Sequence, residues 1–168
     1  MTGRVSTGPA AITIRRLAST AEAERCAALM AGSEPWLTLG RTASAALELI
    51  RDPLREVYVA EDDDGFLGFT ILCVVGPFTG YIQSVCLVPD HRGRGIGTRL
   101  VAFAEARIAK VSPNVFLCVS SFNDRARTLY ERLGYEYVGE LRDFLISGAS
   151  ELLYRKTRGP WATHTTQP

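Results

Sequence analysis

The stretch Leu87-Val88-Pro89-Asp90-His91-Arg92-Gly93-Arg94-Gly95-Ile96-Gly97-Thr98-Arg99-Leu100 decides how the chain is read. An apolar run ends at Val88, and glycines then stand at 93, 95 and 97. From Gly97 to Lys110, Leu100, Phe103, Ala104 and Ile108 recur on one face of a helix. Glycines let successive backbone N–H groups turn inward and leave no side chain in the way of a phosphate. The helix adds its unpaired first-turn N–H groups and the positive end of its dipole. Arg92, Arg94 and Arg99 raise the local potential further. The stretch therefore reads as an anion-binding strand-to-helix loop. The same glycine spacing also makes a plain tight turn, so the order of the surrounding elements has to decide what the loop holds.

Upstream, Ile12 to Leu17 reads as a strand, and Ser19 with Glu22 forms a capping box for a helix ending near Gly32. After a break from Gly32 to Gly40, Thr42 to Arg51 reads as a second helix, stopped by Pro53. A strand through Val57 and Val59 runs to the acidic turn, where Asp64-Gly65 suits a hairpin because both residue types tolerate positive φ. Phe66 to Val75 returns, Gly76-Pro77 ends it, and Tyr81 to Val88 completes a three-strand antiparallel meander. Downstream, Val115 to Val119 is of strand length. Asn123 opens a helix with Ala126, Leu129, Tyr130 and Leu133 on its apolar face, closed by Gly134. Tyr135 to Leu141 and Glu151 to Thr157 are further strands around a Gly148 turn. A Walker loop would require Gly-Lys-Ser/Thr, which is absent. A dinucleotide fold would set the loop in a parallel strand–helix–strand unit near the start, whereas here it follows four strands.

In that context the loop resembles the GNAT superfamily of N-acetyltransferases, whose Arg/Gln-x-x-Gly-x-Gly/Ala sequence after the fourth strand binds the pyrophosphate of coenzyme A. Arg92 to Gly97 matches every fixed position. A second family element, Asn-x-x-Ala-x-x-Leu-Tyr-x-x-x-Gly-Phe/Tyr, is matched by Asn123, Ala126, Leu129, Tyr130, Gly134 and Tyr135. The two together are far more specific than either alone, and the resemblance, spanning Ile12 to Thr157, is closest to the ribosomal-protein alanine acetyltransferase (RimI-type) branch. It implies an α/β (α+β) fold with a mixed, mostly antiparallel sheet of about seven strands, splayed between the fourth and fifth, and about four helices.

The resemblance also implies roles. Acetyl-CoA is the cosubstrate, and no metal is needed. Backbone groups of Leu87 and Val88 pair with the pantetheine amides, and the Val88 N–H polarises the thioester carbonyl. The main chain of Arg92, Gly93, Arg94, Gly95, Ile96, Gly97 and Thr98, with the Thr98 hydroxyl, receives the pyrophosphate. Asn123 bonds the pantetheine arm, a role compatible with a plain helix N-cap. Tyr130 matches the tyrosine that protonates the departing thiolate. RimI-type enzymes carry a glutamate base on the fifth strand, but Cys118 stands there. A buried Cys is usually a small core hydrophobe. Glu34 and Asp143 are the carboxylates left to act as base, alongside a base working through ordered water. Glu34 with Trp36, on the loop between the first two helices, suits an acceptor bearing an ammonium group. The missing glutamate leaves a second reading open, a non-catalytic acyl-CoA-binding regulatory module.

Bulk properties agree with a single domain. In 168 residues, 19 basic against 18 acidic side chains give no reason to expect nucleic acid or an acidic membrane as partner. Cys26, Cys73, Cys86 and Cys118 are widely spaced, without a Cys-x-x-Cys pair, so neither a disulfide framework nor a zinc site is expected. The first residues lack the apolar core of a secretory signal, which points to the cytoplasm. Residues 1–10 and 158–168 read as flexible tails around a domain at 11–157. The partner is an amine, as a small molecule or a peptide N-terminus, and the resemblance admits a homodimer.

Overall fold

The computed structural model describes residues 11–165. The chain first lays down β1 (Thr13–Arg16), α1 (Thr20–Ala31), α2 (Ala43–Arg51), β2 (Glu56–Asp62), β3 (Gly65–Cys73) and β4 (Tyr81–Leu87). It continues through α3 (Ile96–Ile108), β5 (Asn114–Ser120), α4 (Asp124–Arg132), β6 (Glu136–Arg142) and β7 (Ser150–Thr157). Ser19 starts α1 by accepting a hydrogen bond from the Glu22 amide at 3.2 Å, while the Glu22 carboxylate accepts from the Ala18 amide at 2.7 Å. Arg15 grips both Glu22 and Glu61, at 2.5 and 2.8 Å, and so ties β1, α1 and β2 together.

The β2–β3 hairpin closes differently from the sequence reading. Asp62 Oδ1 accepts from the amides of Asp64 and Gly65, at 2.9 and 3.1 Å, so the turn centres on Asp63 and Asp64. Gly65 alone takes a positive φ, 123°. An acidic side chain closing the turn removes the need for a left-handed Asp64.

The seven strands form one sheet in the order β1-β2-β3-β4-β5-β7-β6. Every neighbouring pair is antiparallel except β4 and β5, which are parallel and meet at only two positions, Tyr81 opposite Phe116 and Ile82 opposite Leu117. The cause lies in β4. Ile71 pairs with Ser84 but Leu72 with Ile82, which leaves Gln83 as a bulge residue. A bulge bends its strand and increases its twist, so β4 swings away from β5 directly after their last shared pair. The Gln83 amide oxygen accepts from Arg55 Nε at 2.7 Å, which holds the bulge in place.

One face of the sheet is covered by α1 and α2, where Ala23, Cys26, Met30 and Ile50 pack on Val57, Val59, Phe69 and Cys86. On the other face Val101, Ala104, Ile108 and Tyr130 of α3 and α4 pack on Leu72, Ile82, Leu117 and Val119. Helix α3 also bridges the two halves of the divided sheet. Arg107 makes a bidentate pair with Glu56 of β2, at 2.8 and 2.7 Å, and Glu105 receives Lys156 of β7 at 2.9 Å. No helix among the described residues is long and apolar enough to cross a membrane. Residues 1–10 lie outside the described residues. Part of the segment 158–168, read as a flexible tail, carries structure: the Arg158 amide donates to Pro113 O at 2.9 Å, and Trp161–Thr163 is a short 3-10 turn.

Candidate active site

The loop between β4 and α3 forms the cradle its glycines suggest. Gly93 and Gly95 hold φ of 79° and 78°, and a Cβ at either would meet nothing within 4 Å. Gly95 is the N-cap of α3 and has no side chain to bond the first-turn amides, so those N–H groups are free for an anion. Gly93, Gly95, Gly97 and Thr98 line a cavity of about 700 Å3, and Arg92, Arg125 and Arg132 add positive charge to its wall. These residues fit a diphosphate. Arg94 and Ile96 do not line this cavity. Arg94 turns toward His91, 3.3 Å from Nδ1, and the Ile96 side chain is buried in the core.

The cavity extends into the opening between β4 and β5, where Val85, Cys86 and Leu87 border it. Val88, expected to polarise a carbonyl, is already occupied: its N–H donates to Leu67 O at 2.9 Å and its carbonyl accepts from the His91 amide at 3.0 Å. With Val88 bonded to β3, the alternation of an antiparallel pair turns the N–H and C=O of Leu87 and Val85 the other way, toward β5. Those two residues, not Leu87 and Val88, turn their backbone groups toward a ligand in the opening, although the Leu87 carbonyl also accepts from Arg92 Nη2 at 3.4 Å. No local signal marks Val85, because strand alternation pairs it with Leu87 but does not say which of the two sets faces the opening.

Tyr130 of α4 reaches the same cavity. The Tyr135 ring holds it edge-on, with centroids 5.6 Å apart. Desolvation pushes its phenol pKa up to about 12. Asn123 caps α4, its Oδ1 accepting from the Ala126 amide at 3.2 Å, and lines the cavity as well. All four cysteines are free thiols. Burial raises the pKa of each, with Cys86 at about 11, which disfavours the thiolate that a Cys nucleophile would require.

Residues 17–135 match the sequence profile of the Acetyltransferase (GNAT) family. The chain belongs to that family. Among relatives of this GNAT protein is the N-alpha-acetyltransferase RimI of Mycobacterium tuberculosis, 29% identical over 151 residues that cover 83% of this chain and 89% of the relative. A GNAT-family acetyltransferase structure from Desulfovibrio desulfuricans superposes with a TM-score of 0.74 at 21% identity, covering 88% of this chain and 99% of the other. An aminoglycoside 6'-N-acetyltransferase complexed with coenzyme A superposes with a TM-score of 0.72 at 19% identity, covering 88% and 98%. These superpositions show that the chain has the fold of those proteins.

The remaining candidates separate in space. Glu34 and Trp36, from the α1–α2 loop, line the cavity on the side opposite α3 and α4. Glu34 is solvent-exposed and its Oε2 accepts from the Thr38 amide at 3.3 Å. Asp143 lies elsewhere. It sits at φ 50° in the β6–β7 turn, and its carboxylate accepts from the Gly148 amide at 2.7 Å. That bond closes the turn and accounts for its being an acid, and Asp143 does not border the cavity.

Proposed function

We propose that this GNAT protein transfers the acetyl group of acetyl-CoA to a primary amine by direct attack within a ternary complex. The reading rests on one observation: a single cavity joins the glycine cradle, the opening in the sheet, the Tyr130 phenol and the Glu34–Trp36 loop on the opposite side. Bound acetyl-CoA supplies an acetyl group already activated as a thioester. The main chain of Gly93, Gly95, Gly97 and Thr98 takes the diphosphate, assisted by Arg92. Backbone groups of Val85 and Leu87 hold the pantetheine arm as a partial extra strand, and Asn123 adds a polar contact at the start of α4. Glu34 and Trp36 receive the acceptor, whose ammonium suits an acid beside an aromatic face. RimI-like relatives favour a peptide N-terminus, while a small-molecule amine satisfies the same contacts. The amine is the sole partner in this reading, with cytoplasmic acetyl-CoA as donor.

Tyr130 gives its proton to the departing thiolate. Its raised pKa keeps the phenol protonated below about pH 12, so Tyr130 produces no alkaline fall in turnover across the working range. Tyr130→Phe tests the role: kcat is expected to drop by about 10²-fold or more, with acetyl-CoA affinity by calorimetry within two-fold of wild type. Equal turnover in the two proteins removes Tyr130 from the chemistry. Free-thiol release against a panel of amines separates a working transferase from a module that only binds acyl-CoA.

A further inference from the structure

Glu151 of β7 is 6% exposed and is the only charged side chain buried among the described residues. Its Oε1 accepts from the Ser120 hydroxyl at 2.6 Å, and no lysine or arginine among the described residues pairs with it. An ionised carboxylate out of water without a counter-charge is costly. Groups of this kind cluster where a positive charge arrives or a proton is exchanged.

Its position fits that second use. In the β5–β7 ladder Ser120 stands opposite Glu151 and Cys118 opposite Leu153. Leu117 and Val119 point into the core under α3 and α4, so Cys118, Ser120 and Glu151 lie on the other face, Glu151 being the diagonal neighbour of Cys118. That is the face of α1, α2 and the Glu34–Trp36 loop; Glu151 and Ser120 do not line the cavity themselves, so a proton from an amine held there reaches Glu151 through an intervening water. Across the opening Cys86 of β4 borders the cavity.

We propose that the Glu151–Ser120 pair is the proton-accepting centre on the acceptor side of this transferase. The inference rests on the acetyl-transfer reading above. The acceptor ammonium gives one proton, through a bridging water, to Glu151, which passes it to solvent. The neutral nitrogen forms its bond to the acetyl carbon, and the carbon–sulfur bond breaks. The thiolate takes the Tyr130 proton, and Tyr130 recovers one from the newly bonded nitrogen. The sum is ammonium plus thioester giving amide, thiol and one released proton.

The surroundings raise the proton affinity of the carboxylate. Desolvation raises the Glu151 pKa, partly offset by the Ser120 hydrogen bond. The titratable groups facing it are Tyr81 of β4 and Cys118 of β5, both raised mainly by burial and therefore uncharged. From β6 its cross-strand partner is Leu141, which carries no charge.

Glu151→Gln keeps an acceptor for Ser120 and removes only the ionisation. With the panel amine that wild type acetylates fastest, kcat/KM near neutral pH should fall by about 10²- to 10⁴-fold. The loss should shrink at alkaline pH, where solvent supplies free amine. Acetyl-CoA affinity, read by calorimetry, should stay within two-fold. In Ser120→Ala the acidic limb of the pH profile should move upward, because the hydroxyl that stabilises the carboxylate is gone. Without turnover, amine binding to the protein–CoA complex should release a proton in wild type and none in Glu151→Gln, measured in two buffers of different ionisation enthalpy. An unchanged profile and proton release in Glu151→Gln overturn the proposal while leaving the acetyltransferase intact. So does joint loss of acetyl-CoA affinity and turnover, which would make Glu151 part of the scaffold. Wild type that binds no acetyl-CoA sinks the underlying reading instead.

Discussion

At the scale of single residues, the cradle depends on what is missing from it. Gly95 sits at φ 78° with open space where a Cβ would project, and the amides it caps are the ones offered to the anion. Gly95→Ala should therefore act twice. Left-handed backbone with a Cβ should cost the fold about 1 kcal/mol, read by chemical denaturation, and the methyl should weaken acetyl-CoA binding beyond that loss. Gly97 is the contrast: its φ is not positive, and an added Cβ would reach Leu87 Cδ1 at an ordinary 3.4 Å. Gly97→Ala should leave stability close to wild type, so any affinity it loses reports on the cradle alone. Equal stability for the two variants would show that Gly95 serves only the ligand.

At the scale of elements, the opening between β4 and β5 is built by one bulge and one glycine. The bulge at Gln83 bends β4 away, and Gly80 holds the two strands together just before it. The Gly80 carbonyl accepts from the Phe116 amide at 2.8 Å, and a Cβ at Gly80 would lie 2.3 Å from Asn114 O with φ at 98°. Backbone cannot yield there as a flexible side chain would. Gly80→Ala is expected to destabilise the domain by roughly 1–3 kcal/mol, and because it forces apart β4 and β5 where they meet, acetyl-CoA affinity should fall with it. Wild-type unfolding behaviour in this variant would show that the joint does not govern the sheet.

At the scale of the whole molecule, the two halves of the sheet are held by α3, through Arg107 to β2 and Glu105 to β7, and the first half is laced by Arg15. Glu22, paired with Arg15, has its pKa lowered to about 2. A depressed carboxylate contributes stability that is present above its unfolded pKa, about 4.3, and lost as pH falls toward the folded value. Glu22→Gln should lower Tm at neutral pH, with the gap to wild type closing between about pH 4.3 and pH 2. A gap that persists unchanged at pH 2 would assign the effect to packing. Much of this architecture was legible along the chain, because capping boxes, strand alternation and glycine loops are local: α1, the meander, the cradle and the helix of Tyr130 all lie where period and spacing put them. The hairpin turn was misread because Asp62 closes it through its side chain. Val88 was misassigned because which side of β4 faces the opening depends on its pairing with β3. Asp143 was miscast because an acid in a turn and an acid in a site look alike in one dimension. By itself the sequence determined the order of elements, the glycine loop between β4 and α3, and the family, since each is written in residues close together. Only the tertiary structure decided which backbone groups face the opening, and that Glu151 lies beside Ser120 and diagonal to Cys118. Those relations join residues some thirty positions apart through the register of β5 on β7, and no local pattern encodes a register.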